Sequence, residues 1–194
     1  MAKLYFKYGS MGSSKTAQAL ITKFNYEEQG MKVWLFKPSI DTRDNAEIVK
    51  SRVGLSAPSS LVRTDENIYE LYKNKINACD VIIIDECQFL TEKQVDELAD
   101  ITLDFDVPVL CFGLKTDFLT HMFPGSKRLF EIAESISEIK NVCKCGRKAT
   151  VNARIDANGR IITHGEQVYI GGNDTYKAMC YRCYKNKIKQ EQQD

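Results

Sequence analysis

The chain has no long hydrophobic run, no excess of either charge, no internal repeat and no low-complexity tract. Its 194 residues carry a net charge of only +1, with 43% hydrophobic and 27% charged residues. Those proportions are ordinary for a globular protein and exclude a wholly disordered chain. The apolar stretches Val81–Ile84 and Val107–Phe112 fall far short of the roughly 20 residues that span a bilayer, so no membrane association is expected. The start, Met1-Ala2-Lys3-Leu4-Tyr5, lacks the apolar core and small-residue cleavage site of a secretory signal. A cytoplasmic protein is the expectation, with one ordinary domain and at most a small appendage. A near-zero net charge argues against a partner that is a polyanion, and no nucleic acid is expected.

The charge is nevertheless unevenly placed, at −5 over residues 1–139 and +6 over residues 140–194. Cysteine usage changes at the same point, which predicts a boundary near Lys140. The expected organisation is a nucleotide-binding unit over 1–139, a metal-binding unit over 140–189 and a polar tail over 190–194. Lys185–Gln190 reads as a solvated basic stretch.

What is present alternates between strand and helix. Lys3–Tyr8 and Lys32–Lys37 are β-rich runs closed by Gly9 and Pro38. Between them Lys15–Glu28 has Ala17, Leu20, Ile21 and Phe24 at helical spacing. Residues 39–60 read as a surface loop with a short helix near Ala46–Lys50, followed by a short strand at Leu61–Arg63 and a helix at Ile68–Lys75. Val81–Ile84 and Val107–Phe112 have the continuous apolar character of strands buried on both faces. Thr91 and Gln94 form a capping box for a helix between them. Such alternation predicts an α/β fold with a mostly parallel sheet covered on both faces.

Three motifs carry chemistry. Between the first strand and the first helix stands Gly9-Ser10-Met11-Gly12-Ser13-Ser14-Lys15-Thr16. Consecutive backbone N–H groups at a helix N-terminus can wrap a phosphate there. Lys15 would reach the outer phosphates of ATP, and Thr16 would ligate Mg²⁺. The strict pattern asks for glycine at Ser14; if that position needs positive φ, serine is strained by roughly 1 kcal/mol. The second motif is Val81–Ile84 ending in Asp85 and Glu86, an apolar strand closed by two acids at the same sheet edge. Asp85 would hold Mg²⁺, although it could merely cap the following turn. Glu86 points the other way and can act as a base.

The third motif is a Cys143-Lys144-Cys145 pair and a Cys180-Tyr181-Arg182-Cys183 pair. Disulfides are not expected without a secretion signal. Four thiolates from two such turns suit one tetrahedral Zn²⁺ with no open position, a structural site. About 50 residues make too small a core to stand alone, so a structural metal is physically apt. Cys79, Cys87 and Cys111 read instead as small core residues.

Taken with Phe36-Lys37-Pro38, Asp41-Thr42-Arg43, Asp85-Glu86-Cys87-Gln88-Phe89, Gly113–Phe118 and Ile170-Gly171-Gly172-Asn173-Asp174-Thr175-Tyr176, these motifs resemble the type II, zinc-containing thymidine kinases over nearly the whole chain. The resemblance implies a RecA-like P-loop fold and a zinc-binding domain whose long loop, about Asn152–Tyr176, covers the substrate. It implies ATP- and Mg²⁺-dependent phosphorylation of the thymidine 5′-hydroxyl, with Glu86 as general base and Arg43 near the phosphates. By residue type alone Arg43 is equally a solvated loop arginine. Thymine contacts are implied at Met11, Gln88, Phe89, Phe118, Phe123, Asn152, Ile170, Gly171, Gly172 and Tyr176. By residue type alone Met11 and Phe118 are as well explained as core. A homotetramer inhibited by thymidine triphosphate is also implied. Ser14, Lys115, Leu119-Thr120-His121 and the tight Cys-x-Cys spacing depart from the common family pattern. Two other readings remain open: a P-loop ATPase whose zinc module binds nucleic acid, and a non-catalytic nucleotide sensor.

Overall fold

The structure, a computed structural model, describes residues 1–40, 47–75, 79–167 and 175–191. In chain order it places β1 (Leu4–Tyr8), α1 (Lys15–Glu28), β2 (Val33–Pro38), β3 (Ile48–Lys50), β4 (Ser56–Pro58), β5 (Ser60–Val62), α2 (Ile68–Lys75) and β6 (Val81–Ile84). After a 3₁₀ turn at Cys87–Phe89 come α3 (Glu92–Phe105), β7 (Val109–Gly113), α4 (Pro124–Ile132), β8 (Ser135–Glu138), β9 (Val151–Arg154), β10 (Tyr176–Met179) and α5 (Tyr181–Glu191).

Six strands form one sheet in the order β5-β2-β6-β7-β1-β8, and every pairing in it is parallel. Successive side chains of a strand point to opposite faces, and here both faces are dry. Phe6, Trp34, Phe36, Ile82, Ile84, Val109 and Cys111 pack with α2, α3 and α4 on one face. Leu35, Val81, Ile83, Leu110 and Phe112 pack with Ala19 and Leu20 of α1 on the other. All four residues of β6 are fully buried, which is why that segment reads as an unbroken apolar run rather than an alternating one. The predicted α/β architecture is the observed one.

Local chemistry explains the helix boundaries. Thr91 caps α3, its hydroxyl accepting from the Gln94 N–H at 3.1 Å while Gln94 Oε1 accepts from the Thr91 N–H. Glu97 on α3 in turn accepts from the Ile68 N–H at 2.7 Å and so caps α2. Cys79, Cys87 and Cys111 are buried as expected.

Two expectations are corrected, one strand appears that the sequence did not suggest, and the basic stretch takes a defined form. Ile48–Lys50 is a strand, not part of a helix, paired antiparallel with Ser56–Pro58. Val49 points into the core between exposed Ile48 and Lys50, an alternation of period two that a helix cannot satisfy. The last sheet strand in sequence before the cysteines, β8, is absent from the apolar pattern because it is a half-exposed edge strand, Ser-Ile-Ser-Glu. Val107 and Pro108 precede β7 rather than belong to it, although Pro108 offers its carbonyl to the Ile82 N–H at 3.0 Å. Lys185–Gln190 is helical within α5, solvated on most of its surface but anchored by buried Tyr184 beside Ile188.

Candidate functional site

Strands β1, β6 and β7 lie side by side, so their carboxyl ends open onto one edge of the sheet. The loop from Gly9 to Ser14 turns there between β1 and α1. Gly9 donates to Gly113 O at 3.2 Å, and a Cβ on Gly9 would lie 2.5 Å from Ile139 O, so only glycine fits. The Ser13 N–H closes a turn on Ser10 O at 3.2 Å. Gly12 and Ser14 both have positive φ, 74° and 63°. Ser14 therefore carries the strain anticipated for a non-glycine in that place. The Lys15 ammonium folds back onto Ser10 O at 2.9 Å, which lays its side chain along the concave side of the loop. The first N–H groups of a helix such as α1 have no partner within the helix and are free to bind an anion.

Asp85 and Glu86 directly follow β6. Asp85 is buried and takes a hydrogen bond from Thr16, while its Oδ1 has no partner. Burial first, then the neighbouring Glu86 charge, pushes its carboxyl up to about 7, against the pull of Thr16 and Lys15. A buried acid with an orphaned oxygen beside a threonine hydroxyl is a donor set suited to a hard cation, and the residues present fit Mg²⁺. The hydroxyls of Ser10 and Ser13 are likewise buried without a partner, which suits a site completed by an oxyanion. Glu86 stands at a left-handed turn, φ 54°. It is held by Gln88, whose Nε2 donates to Glu86 Oε2 at 2.5 Å while its Oε1 accepts from the Leu114 N–H at 2.9 Å.

The apolar residues expected at a nucleoside site fall into two groups. Phe89 and Phe123 meet edge to face at 5.8 Å, and Phe123 stands at the entry to α4. Phe118 is buried beneath the Arg154 guanidinium, 5.1 Å from its ring, and Tyr184 donates its hydroxyl to Phe118 O at 3.2 Å. Tyr176 pairs with Arg154 in the β9–β10 ladder. Met11 is half-buried. Asn152 does not project freely: its Oδ1 accepts from the Met11 N–H at 2.7 Å and its Nδ2 donates to Thr116 O at 3.0 Å. Arg43, Ile170, Gly171 and Gly172 lie outside the described residues.

Several contributors escaped the sequence reading. Asn141 donates to Met11 O at 2.9 Å. Asp117 accepts from the Leu119 and His121 N–H groups and from Gln167 Nε2 at 3.0 Å, tying the loop after β7 to the segment after β9. Lys37 is almost fully buried at the end of β2. Phe36-Lys37-Pro38 was legible as a block, but Asn141 and Gln167 act across long sequence separations and leave no local signal.

The four cysteine sulfurs of Cys143, Cys145, Cys180 and Cys183 all lie within 4.8 Å of one another, with Cys145 and Cys180 Sγ at 3.6 Å. Cys143 and Cys145 sit on a tight knuckle in which Gly146, at φ 81°, donates to Cys143 O at 2.8 Å. Cys180 ends β10 and Cys183 lies in the first turn of α5, its N–H donating to Cys180 Sγ at 3.5 Å. A tetrahedral S₄ metal site needs sulfurs about 3.8 Å apart, so this cluster can hold a metal ion with little movement.

No helix among the described residues is long and apolar enough to cross a membrane. A sequence profile of the thymidine kinase family matches residues 2–184. Proteins named thymidine kinase from three bacteria align nearly end to end. That of Zymomonas mobilis is 46% identical over 97% of this chain and 98% of its own. That of Rhodopirellula baltica is 42% identical over 100% and 93%. That of Yersinia pseudotuberculosis is 42% identical over 97% of both.

Proposed function

The chain belongs to the thymidine kinase family, and from that premise we propose how its residues transfer the γ-phosphoryl group of ATP to the 5′-hydroxyl of thymidine. The observation that carries the reading is the pair of acids at the end of β6. Asp85 takes a hydrogen bond from Thr16 within reach of the Lys15 charge and keeps its other oxygen without a partner, while Glu86 is held by Gln88.

The loop Gly9–Ser14 and the first turn of α1 bind the phosphates through backbone N–H groups, with Lys15 balancing the charge of the β- and γ-phosphates. Thr16 and Asp85 would hold the Mg²⁺ that accompanies ATP, and when bound it would supply charge neutralisation on the transferred group. Glu86 accepts the proton of the 5′-hydroxyl as its oxygen forms a bond to the γ-phosphorus. The bond from that phosphorus to the bridging oxygen breaks, and ADP leaves. A carboxylate suits the task because the hydroxyl becomes acidic only late in a loose transfer. Arg43 adds a further cation near the phosphates.

Met11, Gln88, Phe89, Phe118, Phe123, Asn152, Ile170, Gly171, Gly172 and Tyr176 enclose the thymine and deoxyribose. A closed, dry loop of backbone donors and acceptors discriminates strongly, since a wrong base leaves them unpaired. Residues 1–139 form the ATP-binding unit and 140–189 the metal-binding unit, with residues 190–194 as a polar tail. The metal held by Cys143, Cys145, Cys180 and Cys183 is a structural Zn²⁺, supported by the all-thiolate donor set. Tetrameric assembly and inhibition by thymidine triphosphate are read from the family alone, and a cytoplasmic location and the lack of a nucleic-acid partner from the near-neutral charge and the short apolar runs of the sequence.

The test is phosphorylation of a panel of nucleosides by Mg–ATP with chromatographic separation of products. Thymidine monophosphate is expected, with little product from deoxycytidine or purine nucleosides. Equal use of all nucleosides, or ATP binding without any nucleotide product, overturns the reading.

A further inference from the structure

We infer that Asn141 and Asn152, which flank the first cysteine pair in sequence, clamp the phosphate loop and set its shape for ATP. The inference rests on the reading of Gly9–Thr16 as the ATP-binding loop. Both asparagines act on one residue. Asn152 Oδ1 receives the Met11 N–H at 2.7 Å, and Asn141 Nδ2 donates to Met11 O at 2.9 Å. The two peptide planes on either side of Met11 are thereby held from outside the loop.

In a planar trans peptide the N–H and C=O point in opposite directions, so holding one end of the unit aims the other. Fixing the Met11 N–H turns Ser10 O inward, where it receives both Lys15 Nζ at 2.9 Å and the Ser13 N–H at 3.2 Å. Fixing Met11 O turns the Gly12 N–H the opposite way, into the cradle. Gly12 at φ 74° is free to rotate on its own, which is why an external restraint matters at this position. The Asn141 amide also packs close to Gly12, 3.6 Å from where a Cβ would stand. Asn152 is itself fixed by donating to Thr116 O at 3.0 Å, and Asn141 O receives the Ala149 N–H at 2.8 Å. Through these contacts the cysteine-bearing segment braces the nucleotide loop as well as the nucleoside side.

Asn141 is only half-buried, which makes it the position to change. Asn141→Ala removes the donor, and Asn141→Asp keeps the size while placing an acceptor against Met11 O. Lys148→Ala serves as comparison, because it breaks the exposed 2.6 Å ion pair with Glu138 that joins the same segment to β8. Titration calorimetry with Mg–ATP, metal content and thermal melting are measured for all three. Both Asn141 variants are expected to bind ATP about fivefold or more weakly with metal content unchanged, while Lys148→Ala stays within twofold of the parent. In turnover KM for ATP rises and any rise in KM for thymidine through Met11 is smaller, whereas a general loss of structure would move both alike and lower the melting temperature. Asn141 variants that bind ATP like the parent, or a Lys148→Ala that weakens it equally, overturn the clamp. A parent protein that binds no ATP overturns instead the reading of the loop.

Discussion

Ser14 and Glu86 hold left-handed backbone without being glycine, at φ 63° and 54°, each at a cost of about 1–2 kcal/mol. At Glu86 the turn carries the carboxylate that Gln88 holds. Glu86→Gln should lower kcat by about 10²- to 10⁴-fold with ATP and thymidine affinities within a few-fold; near-normal turnover would remove it as the base. Asp85 differs in kind, since burial holds its folded carboxyl above the ordinary value near 4, up to about 7. A group whose folded pKa is raised favours the folded state when protonated, so its penalty grows as pH rises through that window. Asp85→Asn should therefore raise the melting temperature of the ligand-free protein more at pH 8 than at pH 5, while abolishing turnover. An equal shift at both values would contradict the buried-charge account. These two acids were legible in the sequence because an apolar strand ending in acids is a local pattern. Asn141 was not, because its partner lies 130 residues away and an asparagine before a cysteine has many local uses.

Among the elements, β7 delivers Gly113 against the 3₁₀ turn that carries Gln88. A Cβ there would stand 2.6 Å from Cys87 Sγ and 2.7 Å from Gln88 Oε1. Gly113→Ala should push Gln88 off Glu86 and lower kcat at least tenfold, with KM for ATP little changed, as steady-state kinetics would show. The capping box of α3 is a stability device remote from the chemistry. Thr91→Ala should cost about 1 kcal/mol in urea unfolding and leave kcat unaltered. Helices α1 and α2 were readable from apolar spacing that is contiguous in sequence, and the α3 box because its two partners stand three residues apart. The β3–β4 hairpin and β8 were not. Three-residue strands carry too few alternations to separate from a turn of helix, and an edge strand such as Ser135–Glu138 has no buried face to mark it.

At the scale of the whole molecule, the cysteine cluster joins two stretches of chain that also share the β9–β10 ladder and small cores around Val151, Ala153, Ile161 and Tyr184 and around Ala149. Stripping the metal with a strong chelator should lower the melting temperature and speed amide exchange in residues 140–167 and 175–191 before the six-stranded sheet. Exchange unchanged in those segments would mean the metal is dispensable. The α/β class was evident from alternation, whereas the joining of the cysteine segment to the loop at Met11 depends on contacts that only the folded chain brings together. The strand order itself governs when the active site can first exist. β2 finds β5 and β6 within about 50 residues, but β1 pairs only with β7 and β8, beginning at Val109. During synthesis at about 5–20 residues per second, β1 and the loop that follows it wait on the order of ten seconds without a frame. The nucleotide loop is thus made long before the strands that frame it.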